Sequence, residues 1–238
     1  MIIFEWSSYS LFLISLILSI YAQIKISTAF RKYSSFYTAS GRIASEVARE
    51  MLDSEGLYDV KISRVRGSLS DHYNPKDRTL YLSDTVVSST SAAAIGVAAH
   101  EAGHAIQHAR GYIPLKLRMT LVPITNFASR SSWIIILIGV LLSAFAAMSD
   151  VGYYVLLGGV GLFGVTTLFQ LVTLPCEFNA SRRALAYISD SGYYTKDELY
   201  ASKKVLSAAA FTYVAAALVS VLQLLRFVII FLGGRRRR

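Results

Sequence analysis

The sequence predicts a mainly α integral membrane protein, with transmembrane helices carrying a membrane-adjacent polar head that contains a small β element. Three observations predict it. Of 238 residues, 54% are hydrophobic and only 16% charged, and the mean hydropathy of +0.46 is high for a soluble globule. Four apolar stretches, roughly 10–24, 133–148, 151–174 and 208–232, approach the ~20 residues a helix needs to cross a bilayer. The net charge of +9, from 24 Lys and Arg against 15 Asp and Glu, is carried beside these apolar runs. That placement favours a membrane surface over nucleic acid, and no aromatic-basic platform for single strands is evident.

The first stretch follows "MIIFEWSSYS", which carries Glu5 and no Lys or Arg. A cleaved signal peptide wants a positive leader, so a retained anchor is expected. Lys25, Arg31 and Lys32 come directly after it, and the span 25–130 holds 14 Lys and Arg. By the positive-inside rule this polar segment lies in the cytoplasm. The second and third stretches are separated by Ser149 and Asp150, with Gly152 close by, which predicts a tight helical hairpin. Gly158, Gly159, Gly161 and Gly164 would let its backbones approach closely. The fourth stretch contains Arg226 and ends in "RRRR", 235–238. A full crossing would carry those arginines outside, so either this stretch is interfacial or re-entrant, or the number of spans differs by one. Five segments result: an anchor 1–24, a polar segment 25–131, the hairpin 132–174, a helix-bearing segment 175–207 and a C-terminal apolar helix with its basic tail, 208–238. The single Cys176 excludes an intrachain disulfide.

Within the first polar segment, Ile43, Val47, Ala48 and Met51 recur at helical spacing, with Ser40 as a plausible cap and Gly56 as a stop. "LYDVKISRV" and "RTLYLSD" have the alternation of short strands, and "SLSDHYNPKD" between them is turn chemistry. An Ala-rich helix is expected over about 92–109, ending near Gly111 and Pro114. In the second segment Pro175 is a helix-start signal for "CEFNASRRALAYI", closed by "SDSG".

The Ala-rich helix contains "VAAHEAGHAIQHARG". At 3.6 residues per turn, His100 and His104 project from one face about a turn apart, so both imidazoles can meet one metal ion. Glu101 lies where its carboxylate can take a proton from a water beside that metal. A His-Glu-x-x-His pattern on a helix is the motif of zinc peptidases. His108 stands eight residues from His100, a rise of about 12 Å, too far to share the ion; a partly exposed residue or a group supporting the ligands fits better. The extended motif that needs Gly at 107 and His at 110 is excluded by Gln107 and Arg110.

A third ligand must come from elsewhere, and zinc enzymes commonly add a carboxylate. Glu177 leads, because an even number of crossings separates it from His104 and returns the chain to the same membrane face. The opposing possibility is an acid stabilising a helix N-terminus. Asp84, Asp190, Glu198 and His72 compete, and Cys176 is better suited to packing.

"HYNPKDRTLYLSD", "VAAHEAGHAIQHA" and "PCEFNASRRAL", in this order and flanked by apolar spans, resemble the YugP-type bacterial membrane-bound neutral zinc metallopeptidases. The resemblance covers nearly the whole chain, including "SGRIASEVAREMLDSEGLYDV". It implies His100 and His104 as zinc ligands, Glu101 as catalytic acid and base, and a zincin-like catalytic head. The plan is also similar to membrane gluzincins of the HtpX and CAAX-prenyl-protease type, which maps the third ligand onto Glu177. Two departures stand out. Asn179 occupies a place where related chains often have Asp, and Gly103 weakens the motif helix by up to ~1 kcal/mol without touching a ligand.

The expectation is a membrane-embedded zinc endopeptidase acting on a protein or peptide at the cytoplasmic face, with "RTLYLSD" as an edge on which an extended substrate could pair. The alternative is a non-catalytic membrane scaffold with a structural or vestigial metal site, although a structural site normally has four protein ligands and only three good ones are found. A transporter would place more ionisable groups than Arg226 within its spans.

Overall fold

The computed structural model describes residues 2–235, with side chains placed for 9–145 and 147–230. Arg236, Arg237 and Arg238 of the basic tail, and the Glu5 side chain, lie outside these limits. In chain order the elements are α1 (Ile2–Ser34), α2 (Ala44–Ser54), β1 (Lys61–Val65), β2 (His72–Asn74), β3 (Thr79–Ser83), α3 (Ala92–Ala109), α4 (Ile113–Ser143), α5 (Ser149–Asp190) and α6 (Lys196–Arg235). Helices α1, α4, α5 and α6 are each long and apolar enough to cross a membrane. The protein is a mainly α membrane protein with one small three-stranded sheet among the described residues.

The chain divides into two compact units. One comprises 1–21, 117–173 and 213–238; the other 22–116 and 174–212.

The first unit is the apolar one. Here α4 is joined to α5 through a 3-10 turn, Ala146–Met148. Of the predicted cluster only Gly159 brings the two helices together, and Gly139 and Gly152 do so with it. A Cβ on Gly139 would stand 2.5 Å from Leu156 N, one on Gly152 2.4 Å from Ser143 N, and one on Gly159 2.7 Å from Ile136 Cγ1. Gly158, Gly161 and Gly164 meet nothing within 4 Å. Only the glycines on the facing stripe of each helix matter for close approach. Trp133, Phe163 and Phe227 pack edge to face, with ring centroids 5.2 to 6.0 Å apart. The fourth apolar stretch belongs to an uninterrupted α6 of spanning length, so length and composition favour a crossing over a short interfacial helix.

The second unit holds the polar chemistry around a core of small residues. α3 starts at Ser91, whose hydroxyl accepts the Ala94 N–H at 3.2 Å, and stops before Gly111, at φ +64°. Its alanines and glycines let other helices close in on nearly every side, so the helix is buried almost throughout. α2 lays Val47, Ala48, Met51 and Leu52 into this core. It ends at Gly56, at φ +73°, as the sequence predicts. Ser40 does not cap it; that hydroxyl pairs with Thr38, and Ile43 occupies the cap position.

In the sheet, β3 lies between β1, which it pairs in parallel, and β2, which it pairs antiparallel. "RTLYLSD" is therefore the central strand and cannot be a docking edge. The reason is β2, a strand hidden in "DHYNP". The Asn74 and Asp77 side chains accept backbone N–H groups at Lys76 and Thr79, and Arg78 turns at φ +52°, folding β2 back onto β3. Central position also explains the burial of both Leu80 and Leu82, worth roughly 1.5–3 kcal/mol for each side chain.

Pro175 does not start a helix. α5 runs through it from Ser149 to Asp190. A proline's fixed φ is itself helical, and an apolar helix already entering the residue supplies the preceding turn. Glu177 consequently sits in mid-helix, which removes the reading of it as an acid at a helix N-terminus.

Candidate metal centre

Two helices of the second unit, α3 and the C-terminal part of α5, build the centre. They cross at Gly103, where an added Cβ would stand 2.9 Å from Ala180 O and 3.2 Å from Ala180 Cα. This is the physical role of the glycine that seemed only to weaken the motif helix. Any side chain there would separate the two backbones.

One turn of α3 presents His100 and His104, whose rings meet edge to face with centroids 4.8 Å apart. Across the crossing, Glu177 Oε2 lies 3.2 Å from His100 Nε2 and 3.5 Å from His104 Nε2. All three residues are buried, Glu177 to 1% exposure. Among the described residues they form the group of histidine and acid side chains able to hold a metal ion, with donor atoms within 4.8 Å of one another. A zinc ion bound tetrahedrally at ~2.0–2.1 Å to nitrogen and oxygen sets its ligand atoms about 3.3–3.5 Å apart, so the chemistry and spacing of this donor set fit zinc.

The far nitrogens of both rings are also engaged. His100 Nδ1 is 3.0 Å from Ser181 Oγ, and His104 Nδ1 is 3.0 Å from Gln107 Oε1. Gln107 is fully buried and donates through Nε2 to Cys176 O at 2.8 Å and Asn179 Oδ1 at 3.0 Å. Asn179, where related chains often have Asp, is thus linked to His104 through Gln107. Cys176 is buried against this region and contributes its carbonyl, in keeping with a packing role.

Glu101 is half-buried beside the group, and its Oε2 accepts the Tyr73 N–H of β2 at 3.0 Å. Tyr73 also places its hydroxyl 2.9 Å from His108 Nδ1, so one residue of β2 grips two points of α3 seven positions apart. His108 is thus a supporting group and not one of the converging donors. Burial holds its imidazole below the ordinary range, with the Arg78 charge acting in the same direction. Burial pushes the nearby Asp71 carboxyl up, against the bonds it accepts from the N–H and hydroxyl of Ser83 and with the Glu101 charge adding to the rise.

The competing carboxylates are used elsewhere. Asp84 pairs with Arg64 and accepts Gly67 N–H; Glu198 accepts the N–H groups of Ala39 and Thr195 at 2.6 and 2.7 Å. His72 stacks on Tyr81. Neither these residues nor Asp190 join the converging group.

Residues 8–232 match the family described as "Putative neutral zinc metallopeptidase". The chain belongs to this family. One family relative, named "Putative membrane protease YugP" in Bacillus subtilis (strain 168), is 48% identical over 218 residues, covering 92% of this chain and 93% of the relative. No solved structure matches the chain. Family membership thus spans both units, the apolar one included. Three supporting residues, Gln107, Ser181 and Tyr73, were not singled out from the sequence as parts of the site. A polar Gln three residues after His104 on an otherwise apolar helix was the available signal for the first. Tyr73 falls within "HYNPKDRTLYLSD", but its spacing carries no signal of contact with α3.

Proposed function

We propose that the protein is a multi-pass membrane zinc endopeptidase that hydrolyses a protein or peptide substrate at the cytoplasmic face. The observation that carries this reading is the buried convergence of His100, His104 and Glu177 with Glu101 at its side. His100 Nε2, His104 Nε2 and Glu177 Oε2 would hold the ion. Zinc in such a site lowers the pKa of a water and polarises the substrate carbonyl. Three protein donors leave a position open for reactants, the pattern of catalytic and not of closed structural sites.

The chain's own residues supply the rest. Tyr73 N–H fixes Oε2 of Glu101, which leaves Oε1 to take the proton of the attacking water and pass it to the leaving amine nitrogen. Ser181 and Gln107 hold the imidazole planes. Burial of the three donors keeps bulk water from competing for them. Strand β2, with its outer edge facing α3, is better placed than β3 to receive an extended substrate. Lys25, Arg31 and Lys32 after the first span favour the cytoplasmic side for this chemistry.

The test is the metal content of purified protein before and after chelator treatment, read against cleavage of casein. Loss of both together and recovery with added zinc is expected. Full cleavage by metal-depleted protein would overturn the reading.

A further inference from the structure

We infer that Arg183, Asn179 and Gln107 form a hydrogen-bond relay of fixed polarity that locks His104 in its Nδ1–H tautomer and leaves the Nε2 lone pair aimed at the metal position. The inference rests on the zinc-site reading for its consequence, but its geometry stands independently.

Direction is set at the far end. A guanidinium has hydrogens to give and no lone pair to offer. Arg183 Nε donates to Asn179 Oδ1 at 2.9 Å, which identifies that atom as the carbonyl oxygen. The same oxygen lies 3.0 Å from the Gln107 side chain, so the Gln107 atom facing it must be the donating Nε2. A second acceptor, Cys176 O at 2.8 Å, demands the same orientation. Reversing the amide would set an oxygen against two oxygens and lose both bonds, and full burial of Gln107 leaves no water to compensate. Gln107 Oε1 is then the atom 3.0 Å from His104 Nδ1, and it can only accept. His104 Nδ1 must carry the proton.

His100 lacks this constraint. Its Nδ1 partner, the Ser181 hydroxyl, can donate or accept, so the tautomer is free to follow Nε2, which without metal donates to the Glu177 carboxylate at 3.2 Å. The two ligand histidines are therefore unequal: one is preset for metal and the other adapts. Arg183, Asn179 and Gln107 are positioning residues, since none of them touches the reacting atoms.

The test uses full-length protein with 15N-labelled histidine, stripped by chelator and held at alkaline pH, where nitrogen shifts separate the two neutral tautomers. Zinc affinity is read in parallel by competition with a chromophoric chelator. In the wild type, His104 should be entirely Nδ1–H. Gln107→Leu should populate the Nε2–H form and weaken zinc binding roughly 10- to 100-fold. Asn179→Leu should shift both readouts in the same direction by less, whereas Asn179→Asp, which keeps an acceptor for both donors, should leave both at the wild-type value. A purely Nδ1–H His104 with wild-type affinity in Gln107→Leu would overturn the proposal. Should that variant fail to fold, the same result in Asn179→Leu would do so. A wild-type chain that binds no zinc would sink the peptidase reading, while the tautomer measurement would still decide the relay.

Discussion

Nε2 of His100 stands 3.2 Å from Oε2 of Glu177, across 77 positions of sequence. All of α4 and the N-terminal part of α5 lie between the two residues in the chain, and both helices are long and apolar enough to span a membrane. Two helices of spanning length are an even number, so their crossing would return the chain to the face it left.

Removing the carboxylate tests whether it is a ligand. Glu177→Ala should lower the zinc content of purified protein well below one ion per chain, a loss at least as large as the ~10- to 100-fold affinity change typical of supporting residues. Elemental analysis of wild type and variant side by side measures it. Unchanged stoichiometry would assign the third ligand to another group.

Glu101→Gln separates binding from chemistry. The amide keeps an oxygen for the Tyr73 N–H but cannot take up a proton. Zinc content should be preserved while casein cleavage falls by ~10²–10⁴-fold, the usual contribution of a general base. Cleavage at the full rate would remove Glu101 from the mechanism.

The helix crossing makes a steric prediction. Gly103→Ala would set a Cβ 2.9 Å from the Ala180 carbonyl oxygen, and backbone there cannot step aside, so a destabilisation of ~1–3 kcal/mol is expected. Gly164→Ala, where nothing lies within 4 Å, should be neutral or stabilising by up to ~1 kcal/mol. Thermal midpoints in a single detergent compare the two, and equal effects would contradict the close approach.

Acid should weaken the fold partly through His108. Because burial holds its folded-state pKa down, the unfolded chain binds a proton that the folded chain refuses. The stability from this group is complete above about pH 6.5 and is lost as pH falls from there through the lower folded value. His108→Gln keeps an acceptor for the Tyr73 hydroxyl and removes the titration, so its melting midpoint should drop less than that of the wild type between about pH 7 and pH 5. Parallel curves would show that His108 does not titrate across that window.

What could be read from the sequence follows from what local spacing determines. His100 and His104 were legible because a helix dictates their common face, and that helix announces itself through Ser91 and Gly111. Chemistry and topology single out Glu177, which does converge with the two histidines, but its local setting differs from the expected helix start: Pro175 signals a start only when no helix precedes it. Strand β2 was missed because three residues inside turn chemistry acquire strand geometry only by pairing with β3. Gln107 and Asn179 lie 72 positions apart, and no periodicity links them; they meet only after two helices dock. The roles of Gly103 and Gly139 are hidden for the same reason, since a glycine's purpose lies in what approaches it.

The main-chain contact at Gly103 has a consequence for the spacing of the donors. Two backbones in contact cannot be drawn nearer, so the separation of the helices that carry the imidazoles and the carboxylate is set at a residue that offers no donor of its own. A calcium ion, which seeks six to eight oxygens at ~2.3–2.6 Å, would find two nitrogens among three donors, a set better matched to zinc.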